Sequence, residues 1–343
     1  MTIRTPAFLN LKKKPGKKLG LDIGSYNLKV AEIQIKGSSL EIVGLGMKDI
    51  RESTDLSSAL QELLKETKIT AKEANISLSG ENVVARHISL PRMDEQELKK
   101  AMWFELEDHI PFKAEEVYFD YYVLGPEPNA KNRMRVFLVA TKKEQLDTRV
   151  MLIRQAGLEP RLITMDALAL MNTFYANYPE KNLTNISLLN IGDKITNLLI
   201  MREHIPYFVR DTRFGGEAIT ALLQTKLELD KKGAEKLKYN LGKTAGEVTQ
   251  IIKTALINLL NEIFVSLDFY ENLTEQRIDE IYVSGGSAQL VGLKEFLSGY
   301  LNLEIFDLDP YKNFSLSPNI SPEKAKEIAP YMAVAIGLAL EEP

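Results

Sequence analysis

The chain of 343 residues has no cysteine, three histidines and one tryptophan. Without cysteine there are no disulfides, no thiolate nucleophile and no Cys-ligated zinc, an absence compatible with a cytoplasmic protein. His87, His109 and His204 stand in unrelated segments with no HExxH spacing and no close acidic pair, so a histidine metal centre is not expected. A GxSxG nucleophile elbow is missing as well. Long apolar runs are also lacking: "YMAVAIGLAL" at 331–340 is half a membrane span, and no secretion signal is present. Nor does one charge sign dominate, since 43 Lys and Arg face 47 Asp and Glu, and a net charge of -4 gives no reason to expect nucleic acid. The local exception is residues 1–18, with Arg4, Lys12, Lys13, Lys14, Lys17, Lys18 and no acid. This stretch reads as a flexible basic leader. Its alternative is a segment resting on an anionic membrane surface, each cation contributing about 1 kcal/mol. What remains, 45% hydrophobic and 26% charged, is ordinary soluble composition, long enough for two lobes of one α/β fold.

From Leu19 the segments "LGLDIG", "NLKVAEIQIK" and "LEIVGLGMK" read as an antiparallel meander. A helix over 56–68 follows, with Leu56, Leu60, Leu63 and Leu64 on one face. Residues 74–142 read as an inserted α+β subdomain. It has strands "NISLSG" and "VVARHISLP", a helix capped by Asp94 and Glu97 and running to Ile110, and a hairpin of "VYFDYYVLG" and "MRVFLVATK". A helix over 144–156, the strand "LEPRLITM" and the helix "DALALMNTFYANY" complete the first half. The second half opens near 185 with strands "ISLLNIG", "TNLLIM" and "IPYFVRDT", then helices over 215–228, 230–240 and 247–272. It closes with the strand "EIYVSGG", a helix from Gln289, the strand "LEIFDL" and one helix over 322–340.

A repeat underlies this order: "GLDIGSYNLKVAEI" and "LLNIGDKITNLLIM" are both strand, polar residue, Ile-Gly, polar turn, second strand. Asp22 stands where Asn190 stands, and Gly24 where Gly192 stands. Alone, each is ordinary hairpin chemistry. As a pair facing across a cleft, the turn N–H groups would close on a polyphosphate while carboxylates face its cation. In "IYVSGGSAQLVGL" an apolar strand runs into Gly285 and Gly286, where backbone can approach a ligand closely before Ser287 and Gln289 open a helix. The stretch has neither the GxGxxG spacing of dinucleotide-binding folds nor the GK[ST] of a P-loop.

These motifs in this order resemble the actin-like ATPase superfamily and, within it, the PilM family of type IV pilus assembly, with the cell-division protein FtsA more distant. The likeness runs from about Leu19 to Leu340. It implies an α/β, actin-like, two-lobed fold, duplicated in the ribonuclease H manner. Residues 19–73 and 143–184 would form the first lobe, 185–343 the second, and 74–142 an inserted α+β subdomain of the FtsA/PilM type. It also implies ATP and Mg2+ between the lobes. Asp22, Gly24, Ser25 and Lys29 match the first phosphate hairpin, and Gly192, Asp193, Thr196 and Asn197 the second. Gly215 and Gly216 match a glycine pair near the nucleotide, and Gly285, Gly286 and Ser287 the adenosine motif. Asp22 and Asp193 would face the metal. "MDALALMN" and "AVAIGLAL" fall where the superfamily has its connecting helices. Glu235 and Lys238, three apart on a helical face, bond the ribose hydroxyls or form a surface ion pair. Asp166 orients an attacking water or caps its helix. One departure matters: Asn190 stands where the second motif usually has aspartate, and a neutral amide holds magnesium and orients water less strongly. Slow or absent hydrolysis is the expectation.

Trp103, Phe104, Phe112, Tyr118, Phe119, Tyr121 and Tyr122 crowd the insert, as its own core or as a surface for peptide capture. The resemblance implies that the partner is the cytoplasmic N-terminal tail of the inner-membrane protein PilN, docked beside this insert. That makes the protein a cytoplasmic adaptor at the inner face of the inner membrane, with self-association left open. An actin-fold small-molecule kinase is the first alternative, but it needs a catalytic base and a substrate pocket beside the γ-phosphate, and neither stands out. An FtsA-like division protein would end in an amphipathic membrane helix where this sequence reads "LEEP". A type II secretion assembly component would continue into a membrane span.

Overall fold

The computed structural model describes residues 15–127, 130–239 and 245–342, so Arg4, Lys12, Lys13 and Lys14 of the basic stretch lie outside the described residues. Alternation of apolar side chains builds the first sheet. β1 (Gly16–Ile23), β2 (Asn27–Lys36) and β3 (Ser39–Asp49) form an antiparallel meander. Leu19, Leu21, Leu28 and Val30 face one side, where α1 (Leu56–Glu66) covers them with Leu60 and Leu63. Ala31, Ile33 and Ile35 face the other. The Asp55 side chain caps α1 by accepting from the Ser57 amide. β4 (Glu73–Leu78) then pairs in parallel with β1.

The insert follows as β5 (Val83–Pro91), α2 (Glu95–His109), β6 (Val117–Glu127) and β7 (Ala130–Lys142), a three-stranded sheet of order β5-β7-β6 under α2. Asp94 and Glu97 form the expected reciprocal capping box. The chain returns through α3 (Lys143–Gln155) to β8 (Glu159–Met165), parallel to β4, and α4 (Asp166–Asn177). The boundary drawn at 74 is therefore corrected. β4 belongs to the first sheet, because it pairs in parallel with both β1 and β8 and buries Ile76 and Leu78 on that sheet, and the insert starts at β5.

The second lobe repeats the plan with β9 (Ile186–Ile191), β10 (Thr196–Arg202) and β11 (Ile205–Thr212). α5 (Gly216–Leu227), α6 (Lys231–Tyr239) and α7 (Ala245–Thr274) follow, then β12 (Glu280–Ser284), α8 (Leu293–Leu301) and β13 (Ile305–Asp307). Its sheet order is β11-β10-β9-β12-β13. Within α7, Gly246–Thr274 is long and apolar enough to cross a membrane by length and composition. Its Leu256, Leu260, Ile263 and Leu267 nevertheless pack into the second lobe's core. The helix expected from Gln289 is instead one 3-10 turn at Gly286–Gln289, and α8 starts only after Gly292, whose φ of 78° breaks the helix.

The last elements leave the second lobe. β14 (Ser315–Leu316) adds to β3 and completes a first sheet of order β14-β3-β2-β1-β4-β8. α9 (Pro322–Ile328) and α10 (Ala333–Leu340) replace the single helix expected over 322–340. Pro330, inside the 3-10 turn Ala329–Tyr331, has no N–H to continue the ladder. α10 is apolar all round and buried along its length, which places it inside the molecule, on β1, β2 and α4. Assigning everything after 185 to the second lobe follows the chain but not this packing. Two glycines permit it. A Cβ on Gly337 would lie 1.8 Å from the Ala169 carbonyl oxygen of α4, and one on Gly20 would lie 2.0 Å from the Ala335 carbonyl oxygen.

Gly337→Ala should therefore cost about 3 kcal/mol of unfolding free energy, because backbone and not a flexible side chain must move. Gly299→Ala, in α8 with open space around it, should be neutral or stabilising by about 0.5 kcal/mol. Urea unfolding of both variants checks the pair, and equal costs would contradict the α4–α10 contact.

Candidate functional site

The two hairpins are the same device in atomic detail. In the first lobe Asp22 and Lys29 are direct cross-strand partners, with Lys29 Nζ 2.8 Å from Asp22 Oδ2, and the Gly24 amide donates to the Asn27 carbonyl at 3.1 Å. In the second, Asn190 and Asn197 are partners, with Asn190 Nδ2 donating to Asn197 Oδ1 at 2.9 Å, and the Gly192 amide donates to the Ile195 carbonyl at 3.0 Å. The amides of Ser25, Tyr26, Asp193 and Lys194 take no part in these turn-closing bonds. The turns meet tip to tip, where Ser25 Oγ donates to Asp193 Oδ2 at 3.2 Å. Beside them opens a cavity of about 950 Å³ lined by Asp22, Gly24, Ser25 and Lys29 from one lobe and Asn190, Gly192, Asp193 and Asn197 from the other.

Around Asp22 the first lobe gathers charge. Arg149 on α3 donates from Nη1 to the Ile23 carbonyl at 2.7 Å and sits in the field of Asp166 and Asp22. Burial pulls its pKa down, and the two carboxylates oppose that pull. Asp166 is the first residue of α4 and lines the cavity, but its side chain does not cap the helix. It is hydrogen-bonded by the Ser77 and Ser79 side chains, and burial with the neighbouring Asp22 charge raises its pKa. A carboxyl so held is shifted toward its protonated form.

The second wall is braced from behind. Thr196 is buried and its hydroxyl donates to the Phe214 carbonyl at 2.9 Å, so it supports the turn without lining the cavity. Gly215 and Gly216 do not line it either. A Cβ on Gly215 would meet the Asp193 carbonyl oxygen at 2.3 Å, and one on Gly216 the Ser287 hydroxyl at 2.6 Å, so both are packing glycines behind the turn. Lys238 is 1% exposed, with Nζ committed to the Gly216 carbonyl at 3.0 Å, Thr220 Oγ1 at 2.9 Å and Glu235 Oε1 at 2.9 Å. Lys238 lines the cavity and makes the expected ion pair with Glu235, but the pair is a buried brace instead of a surface one. Glu235 keeps its place on the cavity wall. Gly285, Gly286 and Ser287 line the cavity, and Ser287 Oγ donates to the Gly192 carbonyl at 2.8 Å. Gly285 has a φ of 92°, and a Cβ there would meet the Ile191 carbonyl oxygen at 2.4 Å.

These donors suit an anion: turn amides from both lobes, Lys29 and Arg149, in a cavity of ligand size. They do not build a metal cage. Asp22 is neutralised by Lys29, burial with the nearby Glu217 charge raises the Asp193 pKa, and no cluster of three His, Asp or Glu exists among the described residues. Arg149, Tyr239, Tyr331 and Asp211 were not singled out in the sequence. The first three line the cavity, and Asp211 stands behind Asn197. Only Asp211 had a local signal, an acid at the end of "IPYFVRDT", in register with the second hairpin. In the insert the aromatics divide. Tyr121 is buried, Phe112 and Phe119 pack on the subdomain's core and Tyr122 on the interlobe core, while Trp103, Phe104 and Tyr118 are 48%, 79% and 44% exposed.

A duplicated α/β frame with paired glycine-closed hairpins across a cleft, crossed by two buried helices, defines the actin-like ATPase fold class. The description "Type IV pilus assembly protein PilM" matches residues 20–343, and the chain belongs to this family. Its structure is similar to that of a "PilM-PilN type IV pilus biogenesis complex", with 27% identity, 95% of this chain and 98% of that chain covered, and a TM-score of 0.84. The ethanolamine utilization protein EutJ from Carboxydothermus hydrogenoformans shares the fold, with 14% identity, 95% and 90% coverage and a TM-score of 0.54.

Burial pushes the Asp211 carboxyl up to about 6, against the hydrogen bonds it accepts from Asn197 and Gly80. The native state holds this proton more tightly than the unfolded chain, so the residue favours folding at pH 4 and loses that contribution as the pH rises through 6. Asp211→Asn should lack this pH dependence, so the gap between wild-type and variant stability, measured by guanidinium unfolding, should change between pH 4 and 7. Parallel profiles across that window would contradict the assignment.

Proposed function

We propose that this chain is an ATP-binding adaptor of type IV pilus assembly that holds the cytoplasmic N-terminal tail of PilN beside its insert, at the inner face of the inner membrane. The observation that carries the partner is the similarity to a PilM-PilN complex over 95% of the chain at a TM-score of 0.84. For the ligand it is the matched pair of hairpins facing one cavity. The amides of the two turns, with Lys29 and Arg149, would hold the phosphates. Gly285, Gly286 and Ser287, flanked by Tyr239 and Tyr331, would hold the nucleoside. Mg2+ would ride on the phosphates and water, with Asp22 and Asp193 as outer partners, which suits an ion that keeps several waters. The bound metal would offset phosphate charge.

Hydrolysis is slow in this reading. Asn190 donates one amide hydrogen to Asn197 and accepts from Ser284 Oγ at 3.1 Å, so its oxygen is occupied and carries no formal charge. Asp166 is tied to Ser77 and Ser79, and Asp22 to Lys29. None of these three positions offers a free carboxylate as a strong base for water. Nucleotide occupancy would act through lobe closure on the partner groove.

Lys29→Met should weaken binding of a fluorescent ATP analogue at least about tenfold, since it removes a cation and leaves Asp22 facing the phosphates. Turnover of the wild type should stay about a thousandfold below the ~10 per second of a median enzyme, and a rate comparable to metabolic kinases would sink the adaptor reading. For the partner, residues 83–141 can be replaced by a two-residue turn, because the Lys142 amide already donates to the Asn82 carbonyl at 3.1 Å. This variant should keep the nucleotide and lose a peptide of the PilN tail in fluorescence anisotropy. Undiminished tail binding would remove the insert from the assignment.

A further inference from the structure

The second hairpin is joined to the insert by hydrogen bonds whose polarity is set by their last member. Asp211 on β11 lies opposite Asn197 and outside the cavity lining. An ionised carboxylate only accepts. Its Oδ1 accepts from Asn197 Nδ2 at 2.8 Å, and its Oδ2 from the backbone amide of Gly80 at 2.6 Å. Asn197 then has Oδ1 left to accept from Asn190 Nδ2 at 2.9 Å, and Asn190 Oδ1 accepts from Ser284 Oγ at 3.1 Å. Turning Asn197 would set its Nδ2 against Asn190 Nδ2 and its Oδ1 against Asp211 Oδ1, and turning Asn190 would set its Oδ1 against Asn197 Oδ1. Both asparagines line the cavity while Asp211 stays behind them, so a ligand that shifts them acts on Asp211 without touching it.

Gly80 is where the chain leaves the first sheet for the insert. Its φ is 95°, its carbonyl accepts from the Val83 amide at 2.9 Å, and the space over its Cα belongs to Ile195 of the second hairpin turn. The preceding Ser79 is hydrogen-bonded to Asp166 and accepts from Gln145 Nε2 at 3.0 Å. The turn leads straight into β5, whose His87 bonds the Pro206 carbonyl on β11. One short segment therefore touches the second hairpin and the Asp166 corner and starts the insert's first strand.

We propose that Asp211 is a positioning residue that couples the nucleotide cleft to the insert: a ligand that moves Asn190 and Asn197 moves the Gly80 turn, and β5 with it. This rests on the reading of the cleft as a nucleotide site. The test is hydrogen–deuterium exchange of the full chain with and without AMPPNP and Mg2+, beside a fluorescent-ATP titration, for wild type, Asp211→Ala and Asp211→Asn. In the wild type the ligand should slow exchange over residues 80–91 by about fivefold, the lower end of ordinary coupling. Both variants should bind the nucleotide within about threefold of wild type while that ligand-induced change falls by more than half. A merely structural role would loosen 80–91 equally with and without ligand. If Asp211→Ala does not fold, Asp211→Asn decides, since it keeps the shape but has one acceptor oxygen for two donors. An unchanged response in Asp211→Asn overturns the proposal, as does loss of its nucleotide binding with a native thermal transition. Wild type that binds no nucleotide overturns the cleft reading and the coupling together; wild type that binds without a response at 80–91 overturns the coupling alone.

Discussion

The close approach of α10 to α4 and β1 is the constraint on which the rest of the molecule depends. Gly337 lets α10 sit against the Ala169 carbonyl, and Gly20 lets the same helix lie on β1. Thr173 on α4 donates to the Ala333 carbonyl at 2.6 Å, and Asn75 on β4 donates to the carbonyls of Leu338 and Glu341 at the far end of α10. α4 also packs on β9 and β10. One buried pair of helices is therefore shared by both sheets, in a core that includes Leu188 and Leu199 from the second lobe and Val334 and Leu338 from α10. Close-packed interiors transmit displacement rather than absorb it, so the two hairpins can move relative to each other only as parts of lobes.

Duplication made the geometry of the cleft symmetrical and left its chemistry asymmetrical. The same strand–turn–strand places a side chain opposite its partner in each lobe, but the first pair is Asp22 with Lys29 and the second Asn190 with Asn197. In the first lobe Arg149 adds a second cation. In the second the carboxylate stands one strand further out, at Asp211, where it serves Asn197 and Gly80 instead of the cleft. Such a site offers amides and cations to an anion and little free base to water. In the proposed reading of the cleft, that balance favours holding a nucleotide over consuming it.

Much of this was legible in the chain. Period-2 alternation located the first three strands, the Asp94–Glu97 spacing announced the α2 cap, and the repeated Ile-Gly turns marked the two faces of the cleft. Other features were hidden because their partners are remote. Arg149 reaches the Ile23 carbonyl across 126 positions, and Asp211 reaches Gly80 across 131. Nothing local distinguishes a lysine that holds a ribose from Lys238, which burial commits to Gly216, Thr220 and Glu235. β4 read as part of the insert because a short apolar strand carries no sign of which sheet will accept it.

The sequence by itself determined the local devices: hairpins closed by glycine, helices started by side-chain caps, and an Asn where its counterpart has Asp. Each follows from backbone sterics or from bonds between residues only a few positions apart. Tertiary structure decided everything that depends on which surfaces meet. It set the return of α10 to the first lobe, the separation of cavity-lining glycines from packing ones, and the charge of the cleft. The reason is physical: burial and long-range hydrogen bonding fix the state and orientation of a polar group, and neither exists until the two lobes close on the same pair of helices.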